Sequence, residues 1–463
     1  MVVLAAVALS LALRILFLLR RPLWEDEIFT VWAARLSPSK LLDLLRNDSG
    51  PPLFYLLEKP FVSLSETLAS SDLLARALPF LGAALLFAGA AFLPHNGPRR
   101  RFLLLAASSP LLLVYSAEAR AYALLALFSF LLFVLVLELD WLRRRVWMIA
   151  ALAAAALYTH YLALFVVATL LAISLLSGRR REAVGLLAGG ALFLPWVPVL
   201  LSQPAAALAW SEERTLSSAT GFLSALGGAA RIAAPFGPGL PRTIAVAGLL
   251  FGGLLLLLLL FHSRRDASVR RAVLFVLGVL ASILVISFWR PIAFAGRSEM
   301  AALPVWLWAL SRGSERSLPI RWGTWGVIVV GFAACVSISS AKFPVPAARA
   351  ALALLSHEAR EGDVLFAGAG FYLPARLAFE RRELWTPVRP FPASVADHPG
   401  WFAPDTPTDR DYRSLAAARS LVDARVFLLI PASYRTPAVD AIGAPSGWRE
   451  IGRSRAGILL VSE

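Results

Sequence analysis

The chain has 463 residues, 58% of them hydrophobic and 16% charged, with a mean hydropathy of +0.70; so apolar a chain could not cover itself with polar groups in water, which excludes an ordinary soluble enzyme. The net charge of +15 does not mark a nucleic-acid binder, because the arginines sit in short clusters between apolar runs, as the positive-inside bias of cytoplasmic loops requires. The single cysteine, Cys335, lies inside an apolar run and excludes an intrachain disulfide or a thiolate metal centre.

Apolar stretches near the length that carries a helix across the hydrocarbon core, about 17–25 residues, recur along the chain. With no water there to satisfy the backbone, they must be helices. The first, Val2 to Leu19, has neither a basic n-region nor a small-residue cleavage site, and reads as a retained span. Basic clusters follow at Arg99–Arg101, Arg143–Arg145, Arg179–Arg181, at Arg264, Arg265, Arg270 and Arg271, and at Arg312, Arg316 and Arg321. Placing all five in the cytoplasm gives spans at 2–19, 72–94, 102–114, 119–138, 147–158, 162–177, 183–200, 243–262, 272–288, 299–311 and 322–340. The outer face then receives a long loop at 20–71, turns at 115–118 and 158–161, loops at 201–242 and 289–298, and the tail. Within the long loop, Leu41, Leu42, Leu44 and Leu45 share one helical face, the pattern of a helix lying in the membrane interface.

The tail changes character. Strand-length apolar runs at Asp363–Ala367, Arg425–Pro431 and Gly457–Ser462 alternate with helical patterns at Ala347–Arg360 and Asp411–Val422, which predicts a small α/β domain. The expected fold is an all-α polytopic membrane protein of about eleven transmembrane helices over residues 1–340, with its outer loop at 20–71, followed by an extracytoplasmic α/β domain over 341–463.

Chemistry-bearing residues collect on the expected outer face. Trp24-Glu25-Asp26-Glu27 places three adjacent carboxylates just past the first span. Their mutual repulsion can raise a pKa and make a general base or a cation site; a solvated loop is the competing reading. Asp48 precedes the rigid Pro51-Pro52 turn and the aromatic pair Phe54-Tyr55, which can equally be the start of a second interfacial helix. The turn Tyr115-Ser116-Ala117-Glu118-Ala119-Arg120-Ala121-Tyr122 puts two ionisable groups at the membrane boundary, where they are costly and suggest function, or a pair that holds two helices together. His160 and Tyr161 occupy the next outer turn; a lone histidine is more often structural. Arg297 can clamp a phosphate or simply snorkel to headgroups. Gly368-Ala369-Gly370 imitates a dinucleotide fingerprint, but Leu373 fills the third glycine position, so it reads as a strand-to-helix turn.

Taken in order, Trp24-x-Asp26-Glu27-x-x-Thr30, Asp48-x-x-Pro51-Pro52-Leu53-Phe54-Tyr55, Tyr115-Ser116-x-Glu118-Ala119-Arg120-x-Tyr122 and Leu157-Tyr158-Thr159-His160-Tyr161 resemble the family 39-like glycosyltransferases, membrane enzymes of GT-C type. These are related to protein O-mannosyltransferases and to the aminoarabinose transferase of lipid A. Leu194-Pro195-Trp196-x-Pro198 and Arg297 followed by Leu303-Pro304 also look like that family. The resemblance covers roughly residues 20–310. It implies an inverting transfer of a sugar from a polyprenyl phosphate to an acceptor hydroxyl. Asp26 would be the base; Glu27, Asp48 and Glu118 would orient acceptor, base or cation; Arg120 and Arg297 would stabilise the departing phosphate. Tyr55, Tyr115, Tyr122, His160 and Tyr161 would line the substrate site.

Two departures stand out. Gly50 occupies the place of the histidine in the usual Asp-x-His-Pro-Pro, and Ala117 replaces a glutamine. Without that histidine no cofactor is certain, and a divalent metal stays open. The implied partners are a lipid-linked sugar donor, an acceptor glycan, lipid or protein, and membrane lipids, with no nucleic acid. The Ala/Arg/Leu-rich composition suggests a bacterium, and the arginine clusters put the N-terminus in the cytoplasm, so the expected location is a bacterial inner membrane with the active site and C-terminal domain extracytoplasmic. A flippase for lipid-linked sugars is the rival from another class, but it would carry inverted repeats and ionisable residues at the midplane. A third reading is an inactive relative that only binds a glycan.

Overall fold

The structure is a computed structural model and describes residues 2–67, 72–90, 93, 96–139, 146–204, 215–230, 241–341, 347–398, 408, 410–411, 415, 425–431, 448–453 and 457–462. The Arg143–Arg145 cluster, most of the helical pattern at Asp411–Val422 and parts of the loop 201–242 lie outside the described residues. The chain divides into two compact units. One comprises Met1–Arg21, Ser49–Glu66 and Ser71–Phe343; the other comprises Pro22–Asp48, Thr67–Ser70 and Pro344–Glu463.

The larger unit is helical. Among the described residues five helices are long and apolar enough to cross a membrane: Val2–Arg20, Arg180–Ser202, Arg242–His262, Ala267–Ile286 and Leu318–Ser340. Four shorter apolar helices, Leu74–Gly89, Tyr122–Glu138, Val146–Thr159 and Ala163–Leu176, stand where four more spans were expected. Val146–Thr159 and Ala163–Leu176 have 14 residues each, and at about 1.5 Å per residue they fall short of a hydrocarbon core about 30 Å thick. The expected span 102–114 is two helices, Asn96–Ala107 and Pro110–Ser116. Pro110 forces the break, since it has no N–H to donate and disfavours helical backbone at the residue before it. Ser109 restarts the helix by accepting the Leu112 N–H at 3.4 Å. The expected span 299–311 begins later, at Leu303–Arg316, behind the single turn Ser298–Ala301.

Large apolar side chains face outward along these helices, among them Leu176, 89% exposed, and Leu250, 68% exposed. Water would penalise such a surface; lipid does not. The chain is an integral membrane protein. Exposed tryptophans flank the helices as interfacial belts do: Trp147 and Trp322 near the start of their helices, and Trp289 just past the end of Ala267–Ile286.

Ion pairs gather the basic clusters at one end of this unit. Arg101 meets Glu315 at 3.3 Å, and Asp266 pairs with Arg312 at 3.6 Å and with Arg316 at 3.2 Å. Arg271 meets Glu138 at 3.0 Å, and Arg179 donates to the Val136 carbonyl at 2.8 Å. Four of the five clusters are tied together there. The helix Tyr122–Glu138 runs from the opposite end, where the turns at 115–122 and 158–161 meet the loop at 290–299.

The smaller unit holds a five-stranded sheet. Its strands are β1 (Val364–Ala367), β2 (Val388–Pro390), β3 (Val426–Pro431), β4 (Trp448–Arg453) and β5 (Gly457–Ser462), in the order β2-β1-β3-β5-β4. β1 is parallel to β2 and β3; β5 is antiparallel to β3 and β4. The three apolar runs are β1, β3 and β5, and they fill the middle of the sheet. The two unexpected strands are its edges, short or polar as unpaired edges tend to be. Gly370 turns the chain from β1 into the helix Tyr372–Glu380 with a φ of 79°, the job expected of that glycine pair.

Two helices of the first loop belong to this unit, Glu25–Arg35 and Pro38–Leu45. Glu25–Arg35 packs on Tyr372–Glu380, with Arg35 on Glu380 at 2.8 Å. Pro38–Leu45 corrects the expectation of an interfacial helix. Leu41, Leu44 and Leu45 are buried in protein, and only Leu42 of the four leucines is exposed. The apolar face found a protein partner, which leaves little of it for lipid.

Candidate active site

In the larger unit the site residues assemble around the turn that joins Pro110–Ser116 to Tyr122–Phe133. Tyr115 is buried, and its hydroxyl donates to the Gly296 carbonyl at 2.5 Å. Gly296 has a φ of 90°, a left-handed backbone that suits glycine, and its N–H donates to both carboxylate oxygens of Glu299 at 2.9 Å. The outer loop is thereby fixed beside the turn, and Arg297 with it. Its guanidinium lies 5.9 Å from the Tyr122 ring and 4.8 Å from the Phe294 ring, within reach of cation–π attraction. Tyr122 in turn packs 4.7 Å from Tyr115 and 5.0 Å from His160.

His160 Nδ1 accepts the Leu162 N–H at 3.1 Å, which leaves Nε2 to carry the proton of the neutral ring. Burial lowers its pKa to about 3, with the charges of Arg120 and Arg297 as further causes. Both guanidiniums thus disfavour a positive charge on this imidazole. Glu118 is fully buried in the same turn, and its backbone carbonyl accepts the Arg120 N–H at 2.7 Å. Arg21, just past the first helix, is a buried tie donating to the Ala117 carbonyl at 2.7 Å. Tyr161 accepts from Trp196 Nε1 at 2.9 Å. Tyr55 is buried edge-on to Phe54 in the helix Leu53–Thr67.

Asp26, Glu27 and Asp48 belong to the smaller unit. The three adjacent carboxylates form the first turn of Glu25–Arg35. A helix start favours negative charge, and successive side chains there point about 100° apart, which eases the repulsion read from their adjacency. Glu27 is fully buried and accepts the Trp24 N–H at 3.3 Å. Asp26 is nearly buried, and its backbone carbonyl accepts from the Thr30 hydroxyl at 3.0 Å. Burial pushes the Glu25 carboxyl up; a hydrogen bond from its own backbone opposes this and the Asp26 charge adds to it. Asp48 is buried with Oδ1 3.8 Å from His398 Nε2.

Sequence reasoning missed Glu299 and His398 as site neighbours. Glu299 was findable, as a carboxylate two residues from Arg297 in the same loop. His398 carries no local motif. Among the described residues no three His, Cys, Asp or Glu side chains gather into a group that could hold a metal ion.

No family model and no curated protein sequence matches the chain. Solved structures match it in shape. ArnT from Cupriavidus metallidurans in the apo state aligns with a TM-score of 0.61 at 13% identity, over 99% of this chain and 97% of that one. The same protein bound to undecaprenyl phosphate gives 0.59 at 13% identity with the same coverage. The apo oligosaccharyltransferase of Archaeoglobus fulgidus gives 0.51 at 13% identity, over 95% of this chain and 71% of that one. The chain has the GT-C fold. At these identities the likeness is one of architecture, and it spans both the helical unit and the tail. Function on a GT-C fold, as on any fold, has to be argued from the site.

Proposed function

We propose that this GT-C chain is an inverting glycosyltransferase that moves a sugar from a polyprenyl-phosphate donor to an acceptor hydroxyl on the outer face of a bacterial inner membrane. The observation that carries the reading is the Arg297 guanidinium held against Tyr122, whose ring also packs on Tyr115 and His160, with Arg120 two residues before Tyr122 in the same turn. A planar guanidinium matches phosphate oxygens, and two of them at a membrane protein's polar end suit a phosphate whose lipid tail stays in the bilayer. ArnT, solved with undecaprenyl phosphate, supports the choice of donor class through its shared fold.

The reaction then runs as one displacement. Asp26 takes the acceptor's proton, the acceptor oxygen forms a bond to the anomeric carbon, and the bond from that carbon to the phosphate oxygen breaks. The electron pair leaves with the phosphate, whose growing charge Arg120 and Arg297 stabilise. His160 enters neutral and can donate Nε2–H to a phosphate or sugar oxygen. Glu118, Asp48 and Glu27 orient acceptor and base, and the tyrosines bound the sugar.

The test is transfer by purified protein from a panel of radiolabelled polyprenyl-phosphate sugars, hexosyl and pentosyl, into cell-envelope extract. Label should move to one acceptor class with one donor, and Arg297→Lys should raise the donor KM by about tenfold or more, since lysine keeps the charge and loses the fork. Absence of transfer from every donor by the wild type, with undecaprenyl phosphate binding intact, would overturn the reading. Repeating the assay with EDTA reads the divalent-cation requirement that the sequence left open.

A further inference from the structure

His398 comes from the tail, some 350 residues after Asp48, and the two side chains are each about 97% or more buried with Nε2 3.8 Å from Oδ1. The imidazole also packs on Phe29, their rings 5.4 Å apart. Phe29 is fully buried and lies three residues after Asp26 on the helix Glu25–Arg35, so it shares a face with that carboxylate. One histidine therefore meets Asp48 and packs on Phe29 of the helix that bears the proposed base. The segment that delivers it is rigidly founded. Phe391 and Val395 are part of the sheet domain's apolar core, and the turn Ala393–Ala396 leads directly to His398.

A clip that merely fastened the tail to the first loop would not need ionisable groups. Apolar side chains of similar volume do that as well or better, because a buried charge must first lose its water. A buried imidazole beside a buried carboxylate does something apolar packing cannot, which is to set the direction of the carboxylate.

We propose that His398, supplied by the C-terminal domain, is the positioning residue for Asp48, so that the tail takes part in setting up the transfer site. The proposal rests on the glycosyltransferase reading. His398 acts through Asp48 and through the face of the helix that bears Asp26; it has no proton-transfer step of its own.

The experiment is a double-mutant cycle on the full-length protein in detergent or nanodiscs, with His398→Ala, His398→Gln, Asp48→Asn and the His398→Ala/Asp48→Asn pair. Each is assayed for kcat and donor KM with the polyprenyl-phosphate sugar that the wild type uses, and for thermal midpoint. His398→Ala should lower kcat by about tenfold or more, the scale on which partners that orient a working side chain act, with donor KM within about twofold. His398→Gln keeps an N–H near the reach of Nε2 and should recover most of kcat. On the Asp48→Asn background, His398→Ala should cost less than about twofold more, because the residue it orients is already disabled. Loss of thermal midpoint with unchanged kcat would make the pair a structural clip and overturn the proposal, as would additive effects in the cycle. If Gln performs no better than Ala at equal thermal midpoint, the positioning role is also overturned. A wild type inactive with every donor overturns the glycosyltransferase reading itself and takes this inference with it, an outcome told apart from the others by the wild-type control.

Discussion

The sharpest expectations concern single side chains. Asp26→Asn keeps the shape of the proposed base but cannot take a proton, so single-turnover transfer should slow by about 10²-fold or more with donor binding intact. Glu27→Gln should cost less. Glu27 caps its helix by accepting the Trp24 N–H, and the glutamine oxygen can still do so. Near-normal single turnover in Asp26→Asn together with collapse in Glu27→Gln would reverse the assignment. His160 makes a separate, signed prediction. Its pKa falls from 6.5 in the unfolded chain to about 3 in the fold. Between those values the unfolded chain binds the proton and the folded one does not. The stabilisation is therefore complete above about pH 6.5 and is lost as pH falls toward 3. His160→Asn retains an acceptor for the Leu162 N–H but does not titrate. Thermal midpoints measured from pH 7 to pH 4 should fall more steeply for the wild type than for His160→Asn; equal slopes would count against a neutral imidazole in this turn.

Among the elements, the crossing of Thr215–Leu226 with Arg242–His262 depends on glycine. A Cβ on Gly252 would overlap the Leu223 carbonyl, one on Gly227 the Gly248 carbonyl, and one on Gly248 the Ala229 side chain, whereas Gly253 faces open space. Small residues four apart let membrane helices bring their backbones together. Gly252→Ala should therefore lower the thermal midpoint in detergent, by the equivalent of about 1–3 kcal/mol for forced overpacking, while Gly253→Ala should leave it nearly unchanged. Equal behaviour of the two variants would show that the helices do not cross at this face. The same scale explains what the hydropathy pattern misjudged. Pro110 divides one expected span into two helices, and a separate turn delays the start of Leu303–Arg316. Apolar composition marked where the segments lie, but backbone chemistry decided where helix starts and stops.

On the scale of the whole molecule, topology is the open test. Four arginine clusters are joined at one end of the helical unit through Glu315, Asp266, Glu138 and the Val136 carbonyl, and the charge bias of short loops puts that end in the cytoplasm. In a background with Cys335 replaced, single cysteines at positions 100, 180 and 265 should resist an impermeant thiol reagent in intact cells and react after permeabilisation. Reaction of two or more in intact cells would invert the topology and move the proposed site to the cytoplasmic face.

Much of this protein is legible in its residues alone. The membrane environment follows from apolar length, the common end of the four described basic clusters from charge bias, and the three central strands from short apolar runs. All three are local properties, set by how a stretch of ten or twenty side chains meets water or lipid. The grouping of Tyr115, Tyr122, His160 and Arg297 was legible as spaced motifs, because each sits in a turn next to an apolar segment. Only the tertiary structure decided that Glu299 pins Arg297's loop through Gly296, and that the leucines of Pro38–Leu45 are buried in protein. It alone decided that Asp48 meets an imidazole from residue 398. Those contacts join segments far apart in sequence, or turn on which of two apolar surroundings a helix face finds first, and no local pattern of residues carries that information.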